Sequence, residues 1–279
     1  MNSSKKSYKE LGIPYFKEVF EMIDQTMIDH KIPYYIIGVS AIALELLKNG
    51  IKPNRGTKDI DFAIMISTMS QYEKLSETLV NKGFTKVKTP WTFYSQPFNV
   101  AIDILPFGDI EEQDTMQFNE RYSDLHILGF KEVLEDSEQV QIEEKIVNIP
   151  PLAGMIILKL IAWSNRPEER ENDLSDILRI IEYYFDHNFN EIIESHHDIF
   201  GEDEFDQILI SAEVLGRKAR KILAKSKELE SRIIYVLEQN LKSEFQSTIA
   251  RDWATKKDWT VEYALKVFKS LYTGMQTLE

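Results

Sequence analysis

The chain has 279 residues, of which 33 are lysine or arginine and 46 are aspartate or glutamate, so its formal net charge is −13. Apolar residues make up 43% and charged residues 28%, a balance typical of folded globular proteins rather than disordered ones. The absence of cysteine excludes a disulfide framework, thiol catalysis and a zinc site built on thiolates. The sequence has no apolar run long enough for a membrane span and no secretory signal pattern at its start. We therefore expect a soluble, cytoplasmic protein with no membrane partner.

The first half of the chain alternates between helical and strand-like patterns. Apolar residues at helical spacing predict a helix over 8–30, and a short buried strand over 34–38 ends in glycine. A helix is expected over 40–50, with Ser40 as its N-cap and Gly50 at its end. A further helix is predicted over 69–82, and alternating or β-branched runs predict strands at 58–66, 84–88, 92–96, 99–107 and 145–149.

After Pro150-Pro151 the pattern becomes helical throughout. Helices are predicted at 152–163, 174–185, 205–224 and 229–241, with a last helix within 260–273. We therefore expect an α+β protein with two domains. Residues 1–150 would form a mixed sheet with flanking helices, and residues 151–279 would form an all-helical domain.

A glycine joins a predicted strand to a predicted helix in the segment Gly38-Val39-Ser40. Glycine lets a ligand approach the backbone closely. The start of a helix offers unpaired N–H groups and a partial positive charge, which suit a phosphate. Ser40 would either cap the helix or hydrogen-bond a phosphate oxygen. Many α/β turns have this composition, so on its own the segment favours an ordinary turn.

Two carboxylates share one face of the next predicted strand. Asp59 and Asp61 alternate with Ile60 and Phe62, so the acids lie about 7 Å apart on one side while the apolar residues face the other. Such carboxylates repel each other unless a cation lies between them, and hard oxygen ligands suit Mg²⁺. The alternative interpretation is a strand end with two solvated acids.

A third acid, Asp103, is the only charged residue in the apolar run 100–105. A buried carboxylate is unfavourable without a partner. If its strand lies beside the strand of Asp59 and Asp61, three carboxylates converge. That is the arrangement used for two-metal phosphoryl or nucleotidyl transfer.

Together, Gly38-Val39-Ser40, Arg55-Gly56-Thr57-Lys58-Asp59-Ile60-Asp61 and Asp103 resemble the signature of the nucleotidyltransferase superfamily, which has a polymerase-β-like fold. The motif is most similar to that of the AbiEii/AbiGii-like abortive-infection enzymes of toxin–antitoxin systems. The turn Gly38-Val39-Ser40 has a single glycine. The resemblance covers 34–107. It implies Mg²⁺ as cofactor, with Mn²⁺ as the alternative ion, and a cognate antitoxin as partner. It assigns metal binding to Asp59, Asp61 and Asp103, and nucleotide binding to Gly38, Ser40, Arg55 and Thr57.

Lys159 lies in the middle of an apolar helical run. A lone buried ammonium is unfavourable, so it should face either a carboxylate or a triphosphate. The same family has a helical lysine followed by an Arg and a Lys-Asp-x-x-Asp element near the nucleotide; here Asn172-Asp173-Leu174-Ser175-Asp176 follows, with Asn172 in place of that second lysine.

The resemblance therefore implies that Lys159 is catalytic and binds nucleotide by neutralising triphosphate charge. Asp173 would bind the nucleotide or orient Lys159. The alternatives are a surface lysine extending its ammonium into solvent and Asp173 as the N-cap of the next helix. Asp176 is interpreted as a helix-surface acid.

One basic cluster spans 215–221 and continues with Lys225 and Lys227. It could grip an RNA backbone, but a solvated helix face offset by the acidic stretch 186–208, which has eight acidic residues and no basic ones, is favoured. His196-His197 lacks the spacing of a metal site.

The leading expectation is a Mg²⁺-dependent nucleotidyltransferase that moves NMP from an NTP to an acceptor hydroxyl and releases pyrophosphate. The NTP would bind in a cleft between the two domains. The acceptor would be RNA, such as tRNA, in a toxin-like reaction. Two alternatives stay open: transfer to a small molecule such as an aminoglycoside, and a catalytically idle nucleotide-binding or interaction module.

Overall fold

A computed structural model of the chain divides it into two compact units, residues 1–151 and 152–279. It describes residues 7–13, 15–53, 59–110, 115–118, 123–200 and 205–277, with backbone alone at 115–118 and 123–126. The first unit is mixed α and β and the second is helical. The predicted α+β fold class is therefore confirmed.

The first unit contains nine strands among its described residues. The helices are a 3₁₀ helix Tyr8–Leu11 and four α-helices: α1 Phe16–His30, α2 Gly38–Lys48, α3 Met69–Asn81 and α4 Phe130–Glu135. The strands are β1 Tyr34–Ile37, β2 Asp59–Met65, β3 Phe84–Lys86, β4 Thr92–Ser95, β5 Val100–Phe107, β6 Thr115–Phe118, β7 Ser123–His126, β8 Glu138–Ile142 and β9 Lys145–Ile149.

Five of these strands form a mixed sheet in the order β1-β2-β5-β4-β3. β2 and β5 run parallel at its centre, and every other neighbouring pair is antiparallel. Alternation in β2 and β5 gives the sheet one apolar face, on which Ile60, Phe62, Ile102 and Ile104 are fully buried. The opposite face carries the half-exposed and polar residues of both strands. The acidic residues of the motif therefore lie on this polar face.

Two predicted helices begin differently from expectation. The helix predicted over 8–30 is interrupted, because Gly12 adopts a left-handed φ of +67° and ends the 3₁₀ helix before α1 begins. Ser40 is not the N-cap of α2, since the helix begins at Gly38 directly after β1 and Ile37 is the capping residue. The chain therefore passes from strand to helix without a loop.

The second unit consists of helices. They are α5 Leu152–Asn165, α6 Glu171–His187, α7 Phe189–Ser195, a 3₁₀ helix His197–Ile199, α8 Gln207–Leu223, α9 Lys227–Leu241, α10 Thr248–Lys257 and α11 Val261–Gln276. α8 and α11 cross at two glycines, Gly216 and Gly274, whose Cα atoms approach closely enough that a side chain at either would overlap the other helix. Among the described helices, none is long and apolar enough to cross a membrane.

Candidate functional site

The junction between β1 and α2 is built around Gly38. Its φ is +65°, a left-handed conformation that glycine adopts far more readily than other residues. A Cβ at this position would overlap Asp61 Oδ2 and lie 3.0 Å from Asp61 Cγ. The glycine therefore permits both the sharp strand-to-helix turn and the close packing of the Asp61 carboxylate against the backbone.

Asp61 lies directly opposite Asp103 in the parallel pairing of β2 with β5. Neighbouring strands are about 4.8 Å apart, and paired residues point to the same face of a sheet. The structure thus brings together two of the three predicted metal ligands. Asp59 is on the same face at the exposed start of β2, opposite Ala101. The strand of Asp103 therefore lies beside the strand of Asp59 and Asp61, as the predicted convergence of the three carboxylates required.

Thr92 is a further residue of this face that the sequence did not single out. It lies opposite Asp103 in the antiparallel pairing of β4 with β5. Its hydroxyl donates a hydrogen bond of 2.5 Å to Asp103 Oδ1. The signal that could have identified it is the register of β4 on β5, which places a hydroxyl beside the lone acid. Asp103 is therefore flanked by a carboxylate on one side and a hydroxyl donor on the other.

This donor set suits a hard divalent cation. Within the described parts of the chain, no three His, Asp or Glu side chains form a group that could hold a metal ion. Mg²⁺, however, commonly binds one or two protein carboxylates and completes its shell with water and substrate phosphates. The facing carboxylates of Asp61 and Asp103 fit that pattern. Residues Asp59, Asp61 and Asp103 remain the predicted metal ligands.

Ser40 occupies the first turn of α2 and is fully buried. Its hydroxyl has no hydrogen-bond partner among the described residues. A buried hydroxyl without a partner is unfavourable, and a group bound at the start of α2 could satisfy it. The predicted contact of Ser40 with a phosphate stays a prediction. Arg55 and Thr57, the other predicted nucleotide-binding residues, lie outside the described residues.

Lys159 forms a buried charge cluster in the second unit. Its Nζ lies 2.8 Å from Asp173 Oδ1 and 2.8 Å from Asp176 Oδ2. All three residues are buried. Burial lowers the pKa of Lys159, but the carboxylates of Asp173 and Asp176 outweigh it, so the pKa lies above that of an ordinary lysine. The ammonium therefore stays charged and faces carboxylates of its own chain.

These contacts settle three interpretations made from the sequence. Lys159 is not a surface lysine, because it is only 7% exposed. Asp173 is not an N-cap, because α6 begins two residues earlier and Arg170 is its capping residue. Asp176 is not a helix-surface acid, because it is 3% exposed and pairs with Lys159. Nucleotide binding and catalysis by Lys159, and nucleotide binding by Asp173, remain predictions.

The basic cluster on α8 pairs with acidic residues, as the favoured interpretation expected, but it is not a solvated helix face, because the Arg217 side chain is only 12% exposed. Arg217 lies 2.7 Å from Asp198, and Lys218 lies 2.5 Å from Glu191. Arg220 pairs with Glu230. Asp198 and Glu191 belong to the acidic stretch 186–208, so much of the local positive charge is offset within the unit.

No protein-family model matches the sequence, and no curated protein matches it significantly. The chain is similar to several solved structures. One is an antigenic nucleotidyltransferase-like protein from Paracoccidioides brasiliensis, at 15% identity and a TM-score of 0.40, covering 82% of this chain and 94% of that one. Another is ANT(2″)-Ia in complex with adenylyl-2″-tobramycin, at 13% identity and a TM-score of 0.39, covering 77% of this chain and 97% of that one.

A third similar structure is the Elizabethkingia meningoseptica CdnE cyclic dinucleotide synthase with GTP and Apcpp. It has 9% identity and a TM-score of 0.30, and the match covers 94% of this chain and 92% of that one. The first of these proteins is nucleotidyltransferase-like, the second is bound to an adenylylated tobramycin, and the third is a cyclic dinucleotide synthase bound to GTP and Apcpp. Identities and TM-scores at this level do not assign a function to this chain.

Proposed function

We propose that the chain is a metal-dependent nucleotidyltransferase. The observation that carries the proposal is the packing of the Asp61 carboxylate against Gly38 at the start of α2, directly opposite Asp103. This arrangement supports a site where a phosphate meets backbone N–H groups and two carboxylates at once. A fold-stabilising role alone gives no reason to place two like charges on neighbouring strands.

The proposed reaction is attack by an acceptor hydroxyl on the α-phosphate of an NTP. A new P–O bond forms to the acceptor, the bond to the β-phosphate oxygen breaks, and pyrophosphate leaves. When bound, Mg²⁺ or Mn²⁺ would neutralise phosphate charge. Asp59 and Asp61 would hold the metal, and Asp103 would either complete the ligand set or take the proton from the acceptor hydroxyl.

The chain's other predicted residues would bind the triphosphate. Gly38 would contact a phosphate through its backbone, because the space of its missing side chain is filled by the Asp61 carboxylate, and Ser40 has a hydroxyl without a partner among the described residues. Arg55 and Thr57 complete the nucleotide contacts implied by the sequence resemblance. Lys159 would supply positive charge toward the nucleotide, although two carboxylates already hold its ammonium.

Two acceptor classes follow from different features of the chain. The resemblance of the motif to that of abortive-infection enzymes supports RNA as the acceptor and a cognate antitoxin as partner. The net charge of −13 supports a cationic small molecule such as an aminoglycoside. The basic residues on α8 add little to the RNA case, because several of them are paired with acids.

The test is transfer of label from each of the four α-³²P-labelled NTPs, with Mg²⁺ or Mn²⁺, to total tRNA or to an aminoglycoside mixture in separate reactions. Asp61→Asn is the test variant and Glu73→Gln, an exposed acid on α3, is the matched control. We expect Asp61→Asn to lose more than the roughly 10–100-fold typical of an outer-shell partner, with Glu73→Gln unchanged. Full transfer by Asp61→Asn would overturn the proposal, and nucleotide binding without any transfer would favour the idle module.

A further inference from the structure

Thr92 and Asp103 form the closest kind of cross-strand pair. The backbone N–H of Ile104 donates to the carbonyl of Trp91 at 2.8 Å. In antiparallel strands this pattern makes Thr92 and Asp103 a non-hydrogen-bonded pair, whose side chains approach each other most closely. The hydroxyl of Thr92 uses that proximity to donate to Asp103 Oδ1.

The neighbour of Asp103 on β2 repels its carboxylate, whereas the Thr92 hydroxyl attracts it. Asp61 lies beside it on β2 and carries a like charge on the same face. Repulsion between the two carboxylates would turn Asp103 away from Asp61. The Thr92 hydroxyl on the β4 side acts in the same direction and fixes Oδ1 on that side, so the second carboxylate oxygen is directed away from Thr92.

We propose that Thr92 is a positioning residue that sets the orientation of the Asp103 carboxylate for metal binding and nucleotidyl transfer. This inference rests on the proposed function. Hydrogen bonds from an outer-shell group typically orient a ligating carboxylate, and their loss lowers metal affinity about 10–100-fold. Thr92 would therefore affect the site without touching the substrate.

The chain offers a closely matched set of variants. Thr92→Val keeps the β-branched shape and removes the hydroxyl, whereas Thr92→Ser keeps the hydroxyl. Tyr94→Phe is the control, because Tyr94 lies two residues along the same strand and its hydroxyl bonds Asn99 at 2.8 Å. All three variants change one half-buried side chain of β4.

The experiment measures Mn²⁺ binding by electron paramagnetic resonance, with a non-hydrolysable α,β-methylene ATP present, alongside kcat and KM for transfer. We expect Thr92→Val to bind Mn²⁺ about 10-fold or more weakly and to lower kcat with little change in the KM for NTP. Thr92→Ser should restore both values, and Tyr94→Phe should match the wild type. Thermal unfolding of each variant checks that the fold is intact.

The outcomes separate the two claims. Loss of Mn²⁺ binding in Asp61→Asn would show that the wild type binds the ion through Asp61. If Thr92→Val then binds Mn²⁺ as well as the wild type does, the positioning role is overturned while the proposed function stands. The role is also overturned if Thr92→Ser behaves like Thr92→Val, since the effect then comes from packing. If Asp61→Asn binds Mn²⁺ as the wild type does, the proposed function fails and the role of Thr92 fails with it.

Discussion

Replacing Gly38 by alanine tests two separate reasons for a glycine at this position, namely the left-handed turn and the close approach of the Asp61 carboxylate. Gly38 has a φ of +65°, and a Cβ there would overlap Asp61 Oδ2. The left-handed conformation alone costs about 1–2 kcal/mol for a residue with a Cβ. Crowding against Asp61 adds about 1–3 kcal/mol, the usual range for overpacking. We therefore expect a loss of about 2–5 kcal/mol in the free energy of unfolding.

Gly12 provides the control for the first of these two costs. Its φ is +67°, and a Cβ there would meet nothing within 4 Å among the described residues. Gly12→Ala should thus lose only about 1–2 kcal/mol, the cost of the backbone conformation. Urea unfolding of both variants measures the difference. Gly38→Ala should also lose Mn²⁺ binding, whereas Gly12→Ala should keep it.

A double-mutant cycle with Asp61→Ala tests the cause of the larger loss. Alanine at position 61 keeps only the Cβ, which lies 3.4 Å from the added methyl at position 38, an ordinary contact. Gly38→Ala should therefore cost about 1–3 kcal/mol less in the Asp61→Ala background. Equal costs in the two backgrounds would refute the conclusion that the Asp61 carboxylate requires this glycine.

The other predictions concern the helical unit. Lys159→Met should lower stability by about 3–5 kcal/mol in urea unfolding at neutral pH, because Asp173 and Asp176 would be left as buried charges without their cation. The pKa of Lys159 in the folded state is raised above its unfolded value of about 10.4. The contribution of Lys159 to the free energy of unfolding is therefore complete below that pH and is lost as the pH rises through the folded pKa. Lys159→Met should not show this pH-dependent loss. Gly216→Ala should cost about 1–3 kcal/mol by crowding Leu271, with metal binding per folded molecule unchanged.

The sequence predicted most regular elements where its periodicity was strong. The strands β2 and β5 and the helices α3, α5, α8, α9 and α11 lie close to their predicted positions. Between 109 and 144 the predictions failed to include α4, β6, β7 and β8, because short elements with many acidic residues give no clear period. Helix α10 was missed for a similar reason: its run TIARDWATKK is polar apart from a few buried positions, including Trp253.

The candidate site was predictable in its residue types and less so in its contacts. The lone acid in β5 indicated that Asp103 needs a partner, but the Thr92 hydroxyl depends on the register of β4, which one strand's sequence does not encode. Likewise, the apolar run around Lys159 predicted an anion nearby. Only the packing of α6 on α5 shows that both Asp173 and Asp176 supply it.

The most direct test of the central claim is a crystal structure with Mn²⁺ and α,β-methylene ATP, with anomalous diffraction used to locate the metal. We expect a manganese peak coordinated by Asp61 together with Asp59 or Asp103, at the roughly 2.0–2.5 Å typical of hard cations bound to carboxylate oxygen, beside phosphate oxygens near the start of α2. Nucleotide bound elsewhere, or bound there with manganese contacting none of these carboxylates, would contradict the proposed function.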